Sequence, residues 1–244
     1  MYYEKKKIIL LTGSEGRRGI VRRANLDWLP MNSSFDEGTA AGQYDRTTVR
    51  SVRAAAEYCA FLSMAKNAAA KEYFKNAVVI TADTVVFQDR LLEKPRDEAE
   101  VYAMIEGLNG RPHEVITAVT VGGAEVRRLP NGVSEYGNEI VNYYLNDSMG
   151  VTFLGDVPIS DGEIAASGPG NSFVTFAAVS RVLLSGVPRD AIKKTIETEN
   201  PYACSGGYTI DGLLHPYFKV LSGTEENIIG LPLAEISEIL PKAF

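Results

Sequence analysis

The sequence predicts an α/β protein built on a mixed, twisted sheet with flanking helices. Three observations carry that reading. Short apolar runs such as Lys7–Leu11 and Ala77–Ile80 alternate with segments whose apolar residues recur at three- and four-residue steps. Gly, Asn, Asp and Pro punctuate the spaces between them. Hydrophobic residues make up 45% and charged residues 23% of the 244, a balance that supports a packed core.

Taken in order, Lys7–Leu11 reads as a buried strand that runs into a Gly13–Ser14 loop. Arg17–Leu26 follows as a helix with Ile20, Val21 and Ala24 on one side. A longer helix is expected from Asp45 towards Phe74, because Val49, Val52, Ala56, Cys59 and Ala60 keep helical spacing. Ala77–Ile80 predicts a second strand that stops before Asp83, with Val85–Phe87 behind it and a turn at Gln88–Arg90 leading to Leu91 and Leu92. The next helix begins at or near Asp97, carries Ala99, Tyr102, Ala103 and Ile105, and ends at Gly107 or Gly110. Glu114–Val121 is a strand. From Gly122 to Asn171 the chain is rich in Gly, Asn, Ser and Pro, and reads as an excursion (about 122–171) inserted in a single domain spanning 1–244. Strands are expected again at Ser172–Phe176, around Tyr208 and at Tyr217–Val220. A helix with Pro188 near its start runs to Ile196, and a final one spans Pro232–Leu240.

Charge and composition exclude several classes of function. A net charge of −6 argues against a general nucleic-acid surface. Two cysteines, Cys59 and Cys204, and two histidines, His113 and His215, offer no zinc spacing and no disulfide framework. The thiols read as separate and buried, in a reducing compartment. Lys5–Lys7 precede an apolar run, yet that run stops at once in Thr12–Arg18, too early for a signal sequence. No stretch reaches the apolar length that spans a bilayer. A cytoplasmic protein with neither a membrane nor a nucleic-acid partner is therefore expected.

A few residues have the chemistry of a site. Gly13-Ser14-Glu15-Gly16-Arg17-Arg18 joins a strand to a helix start, where free N–H groups suit phosphate, and two arginines match phosphate oxygens. No Gly-Lys-Ser/Thr follows, so it is not a Walker A loop. Asp83 in Thr81-Ala82-Asp83-Thr84 falls where an apolar strand is expected to end, at the carboxyl edge of a sheet; it can hold magnesium, take a proton from water, or merely cap a turn. Lys66, Lys94 and the pair Asp36-Glu37 each read first as solvated charges. The two histidines read as structural.

The order of these pieces is more specific than any one of them. Gly13–Arg18, Asp36-Glu37, Lys66, Ala82–Val86, Glu93-Lys94-Pro95, Leu108–Thr117, Gly206–Gly212 and Asn227–Leu233 follow one another in a succession that resembles the Maf family of septum formation inhibitor-like proteins. Those are nucleoside triphosphate pyrophosphatases related in fold to the inosine triphosphate pyrophosphatases. The resemblance spans nearly the whole chain except roughly 122–171. It implies a mixed sheet with a cleft between two lobes, and hydrolysis of a (deoxy)nucleoside triphosphate, dTTP, UTP or a modified nucleotide, to the monophosphate and pyrophosphate.

Residue by residue, the resemblance places Asp83 on the catalytic aspartate and Arg17, Arg18, Lys66 and Lys94 on phosphate-contacting positions; Glu15 falls where the family has a hydroxyl, and Ser14 would supply that phosphate-binding hydroxyl from the neighbouring position. Asp83 and Glu37 would hold a divalent cation, Mg²⁺ or alternatively Mn²⁺ or Co²⁺. A homodimer is one assembly it leaves open, with the excursion as a lid or a dimer contact. Two departures stand out. The family loop usually reads Ser-x-Ser-Pro-Arg-Arg, whereas Glu15 here brings a negative charge next to Ser14 and Arg17; and Asp211 stands where the family has Gln, which bears on base selectivity. These departures motivate a rival reading, a nucleotide-binding regulator of cell division or nucleotide pools with impaired catalysis.

Overall fold

The computed structural model describes residues 7–33, 35–70, 73–74, 76–123, 132–145, 151–153 and 173–240. Its strands are β1 (Ile8–Leu11), β2 (Trp28–Met31), β3 (Val78–Gln88), β4 (Arg90–Leu92), β5 (Arg111–Gly122), β6 (Gly132–Val133), β7 (Glu139–Leu145), β8 (Val151–Phe153), β9 (Phe173–Leu184) and β10 (Phe218–Ser222). All belong to one sheet, ordered β2-β1-β3-β5-β9-β7-β6, with β4 on β3, β10 on β9 and β8 on β7. The pairs β2–β1 and β1–β3 are parallel and the other ladders antiparallel, which is the mixed α/β sheet expected.

Helices are α1 (Glu15–Arg23), α2 (Glu37–Gly42), α3 (Val52–Ala70), α4 (Glu98–Leu108), α5 (Arg189–Thr198), α6 (Glu225–Ile229) and α7 (Leu233–Ile239). They cover both faces, and the strands divide their side chains with a period of two. Val85 and Phe87 of β3, Ile116 and Ala118 of β5, and Ala177 and Val179 of β9 pack under α3. Ile80 and Ala82, Val119 and Val121, and Phe176 and Ala178 face the other way, onto α1 and α7. Further along that second face, Val86, Val115, Val182 and Leu184 meet α4 and α5 through Val101, Ile105, Leu108 and Ile192. No helix among the described residues is long and apolar enough to cross a membrane.

The structure departs from the sequence expectations in instructive places. The two short runs around Asp83 are one continuous strand, β3, paired along β5 from Val79 to Phe87. Asp83 therefore sits inside a strand and not at its carboxyl end. β2 was hidden by Pro30, which a sheet tolerates only at an edge, and β2 is bonded to β1 alone. α2, with Gly38 and Gly42, has little intrinsic helix propensity; Asp36 starts it by accepting from Thr39 N at 3.1 Å. The helix expected from Asp45 begins at Val52, because Asp45 caps only a single 3-10 turn, Arg46–Thr48. No strand forms at Tyr208: Gly206 and Gly207 have φ of 75° and 76°, values that turn the chain there. Of the stretch expected as an excursion, Gly132–Val133, Glu139–Leu145 and Val151–Phe153 are strands of this same sheet; 124–131, 146–150 and 154–171 lie outside the described residues.

His113 is fully buried on β5, with Nε2 at 2.7 Å from the Tyr208 hydroxyl. Burial pushes its pKa down to about 4, since the charged form would lose its water. Because the unfolded chain binds that proton near pH 6.5, stability is complete above 6.5 and falls as pH drops through about 4. Urea unfolding of His113→Phe should show a flatter stability profile over that window than the parent protein.

Candidate active site

The site arises where the sheet is left open. β1 pairs with β3 only as far as Leu11 opposite Thr81, and β4 takes up that edge only at Val86. Among the described strands, Ala82–Val85 have no ladder partner on that side. The Thr12–Ser14 turn and the start of α1 lie beside this gap because β1 feeds directly into them. Ser14 caps α1, its hydroxyl accepting from Arg17 N at 3.3 Å, while Ser14 N donates to Thr12 Oγ1 at 3.0 Å.

α3 fixes β3 at the same place from one face. Ser63 Oγ donates to the Thr81 carbonyl at 3.1 Å, and the Cys59 thiol donates to the Asp83 carbonyl at 3.1 Å. One turn further along, Lys66 points its ammonium at the Asp83 side chain, with Nζ 2.7 Å from Oδ1. Lys66 is only 4% exposed, so it is not the solvated lysine that its sequence context suggested. Its Nζ is also 2.8 Å from Glu37 Oε1, so one ammonium joins the two carboxylates. Burial by itself would lower the Lys66 pKa; Asp83 and Glu37 overcome it, and the net shift is upward.

Glu37, at the first turn of α2, receives a second cation: Lys94 Nζ lies 3.1 Å from its Oε2. Burial works against the Glu37 carboxylate, yet Lys66 and Lys94 together hold it down at a pKa of about 2. Lys94 itself is half exposed, at the mouth of the cluster.

Arg17 approaches from α1 across the open edge. Its Nε donates to the Gly230 carbonyl at 2.7 Å and its Nη2 to Thr84 Oγ1 at 2.9 Å. The Thr84 hydroxyl is 2.9 Å from that of Thr117, which donates to the Asn227 carbonyl at 2.7 Å. Burial lowers the Arg17 pKa, and the nearby Asp83 and Glu37 charges oppose that shift. Two of the three guanidinium nitrogens of Arg17 are thereby fixed beside Asp83. Arg18 is held further out, where Nη2 donates to Thr12 O at 3.0 Å and to Asn32 Oδ1 at 2.6 Å.

Glu15 does not intrude on this anion-ready loop. It is 75% exposed and pairs with Arg22 at 3.4 Å and Arg18 at 3.7 Å on the helix surface. Asp83, Glu37, Lys66, Lys94 and Arg17 thus form one group, with Ser14 and Arg18 on the adjoining turn. Among the described residues no set of three or more His, Cys, Asp and Glu side chains is placed to hold a metal ion. Asp83 and Glu37 are the carboxylates that the group offers to one.

A family model described as "Maf-like protein" matches residues 7–146 and 151–243. The chain belongs to the Maf-like family. The match leaves out 147–150, within the stretch expected as an excursion. Relatives named dTTP/UTP pyrophosphatase align along almost the full length. The protein of Pelotomaculum thermopropionicum is 25% identical, over 97% of this chain and 96% of its own. That of Photorhabdus laumondii subsp. laumondii is 28% identical, over 98% and 95%, and one from Clostridium botulinum strain Alaska E43 is 26% identical, over 97% and 99%.

Thr84, Thr117 and Gly230 were not singled out as site residues from the sequence, although each lies in a stretch shared with the Maf-like pattern. Gly230 carries a readable signal, a glycine ending the short run Asn227–Ile229 just before Leu-Pro. Its φ is 114°, and a Cβ there would lie 2.7 Å from Thr84 Oγ1 and 2.9 Å from Arg17 Nε. Gly230→Ala is expected to cost about 1–2 kcal/mol in thermal unfolding and to weaken anion binding by displacing Arg17. Unchanged affinity for inorganic pyrophosphate would disprove the second part.

Proposed function

We propose that this protein is a nucleoside triphosphate pyrophosphatase that converts dTTP, UTP or a modified nucleotide to the monophosphate and pyrophosphate. The observation that carries the reading is the convergence of four cations and two carboxylates on one open strand edge, in a chain aligned end to end with relatives named for that reaction. A triphosphate needs cations around its oxygens and a carboxylate near the attacking water.

Asp83 accepts the proton of a water that attacks the α-phosphorus. The bond from that phosphorus to the bridging oxygen breaks, and pyrophosphate leaves with both electrons of that bond. Arg17 and Lys94 at the mouth take the charge that develops on the leaving group, with Arg18 and the Ser14 hydroxyl on the adjoining turn. Lys66 keeps Asp83 and Glu37 aligned by bonding both. The donor set fits a hard divalent cation, since Mg²⁺ is commonly held by one or two carboxylates completed by phosphate oxygens and water. Mg²⁺, Mn²⁺ or Co²⁺ held by Asp83 and Glu37 would supply further charge neutralisation on the phosphates.

The test is a panel of triphosphates incubated with Mg²⁺, Mn²⁺ or Co²⁺, with product separation. Monophosphate and pyrophosphate are expected from at least one pyrimidine or modified nucleotide. A rise in melting temperature with no product from any of them would favour the regulator instead.

A further inference from the structure

The group of charges is shared between two surface segments. One carries Glu37 and continues through α2 to the 3-10 turn at Arg46–Thr48; the other is the stretch after β4 that carries Glu93 and Lys94. They are joined twice, with the charges reversed. Glu37 on the first meets Lys94 on the second, and Arg46 on the first meets Glu93 on the second. The latter contact is two-pronged from one nitrogen: Arg46 Nη1 lies 2.7 Å from Glu93 Oε1 and 2.5 Å from Oε2. The buried Tyr58 of α3 donates its hydroxyl to Glu93 Oε1 at 3.3 Å, and the backbone of Glu93 accepts from Gly206 N at 3.2 Å. Glu93 is therefore gripped at both its side chain and its carbonyl.

The two ties respond differently to an incoming phosphate. Lys94 cannot keep Glu37 as its principal partner while it takes phosphate oxygens, so that tie is given up on binding. Glu93 and Arg46 touch no atom of the proposed reaction and keep their contact. Resting on the pyrophosphatase reading, we infer that Arg46 and Glu93 are positioning residues: they hold the Lys94 segment against the α2 segment once the Glu37–Lys94 pair has opened, so that Lys94 meets the phosphates and does not swing into solvent. Both side chains are nearly half exposed, at 46% and 43%, so the pair adds little to stability and its effect falls on binding.

The experiment compares Arg46→Glu, Glu93→Arg and the doubly reversed Arg46→Glu/Glu93→Arg chain. Calorimetric titration with inorganic tripolyphosphate in Mg²⁺ is run beside nucleotide turnover. Each single reversal is expected to weaken tripolyphosphate by about tenfold and to raise KM likewise, with kcat much less affected and the melting temperature moved by less than about 3 °C. The double reversal should recover most of the affinity, which a general charge effect would not produce. Parental affinity in both single variants, or no recovery in the double, overturns the inference. So does absence of tripolyphosphate binding by the parent protein. Tripolyphosphate binding that follows this pattern without turnover of any nucleotide would leave the positioning role standing and remove the pyrophosphatase reading instead.

Discussion

Asp83→Asn is expected to lower kcat for triphosphate hydrolysis by about 10²–10⁴-fold, the range associated with loss of a general base. The substitution keeps the shape and leaves an amide oxygen able to accept from Lys66 Nζ, whose present contact is 2.7 Å. Lys66 also retains Glu37 at 2.8 Å, so the buried ammonium is not stranded. Asp83 lies inside β3 with Ala118 opposite, and its backbone is bonded through the Cys59 thiol, contacts that Asn does not disturb. The fold and the cationic side of the site should therefore persist. Pyrophosphate release and tripolyphosphate titration on the same sample separate the two effects: kcat collapses while anion affinity stays the same or increases, because a negative charge has gone. Turnover within a few-fold of the parent would exclude Asp83 as the base.

Lys66→Met has the largest expected effect on the protein itself. Met matches the length of the lysine stem and packs in the same channel, so the change removes charge more than volume. What remains is the Asp83 carboxylate, only 12% exposed, facing an apolar side chain. Breaking a buried ion pair from one side costs about 3–5 kcal/mol. Glu37 keeps Lys94 at 3.1 Å and, being half exposed, suffers less. The pH dependence gives the diagnostic sign. Without Lys66, Glu37 keeps only Lys94 as a cation partner, so the variant should lose less stability than the parent as pH falls from about 4.5 towards 2. In the parent the Glu37 contribution is present above about pH 4.5 and is lost as pH falls towards 2. Denaturant titrations of both proteins at several pH values check this, and parallel profiles would show that Lys66 does not stabilise the Glu37 carboxylate.

How far the sequence carries depends on the kind of information each element needs. β1, α1, α4, β5, α5, β10 and α7 were legible because their apolar period, caps and terminating Gly or Pro are local. β2 and α2 were not, since Pro30 is acceptable only at a sheet edge and α2 depends on a cap and on ion pairs to Lys66 and Lys94. The order of motifs along the chain was enough to point to the Maf-like family and to name the charged residues Asp83, Glu37, Lys66, Lys94, Arg17 and Arg18. It put Asp83 at the end of a strand, where the structure has it inside β3. Only the tertiary structure shows why the position is open: the neighbouring strand β1 stops at Leu11, so β3 runs on through Asp83 with one edge unpaired. It also decides that Lys66 is buried between two carboxylates, and that Thr84, Gly230, Arg46 and Glu93 complete the surroundings. Those facts depend on residues tens to hundreds of positions apart, whose proximity is set by strand register and by the ends of strands, quantities that a local pattern of residue types does not contain.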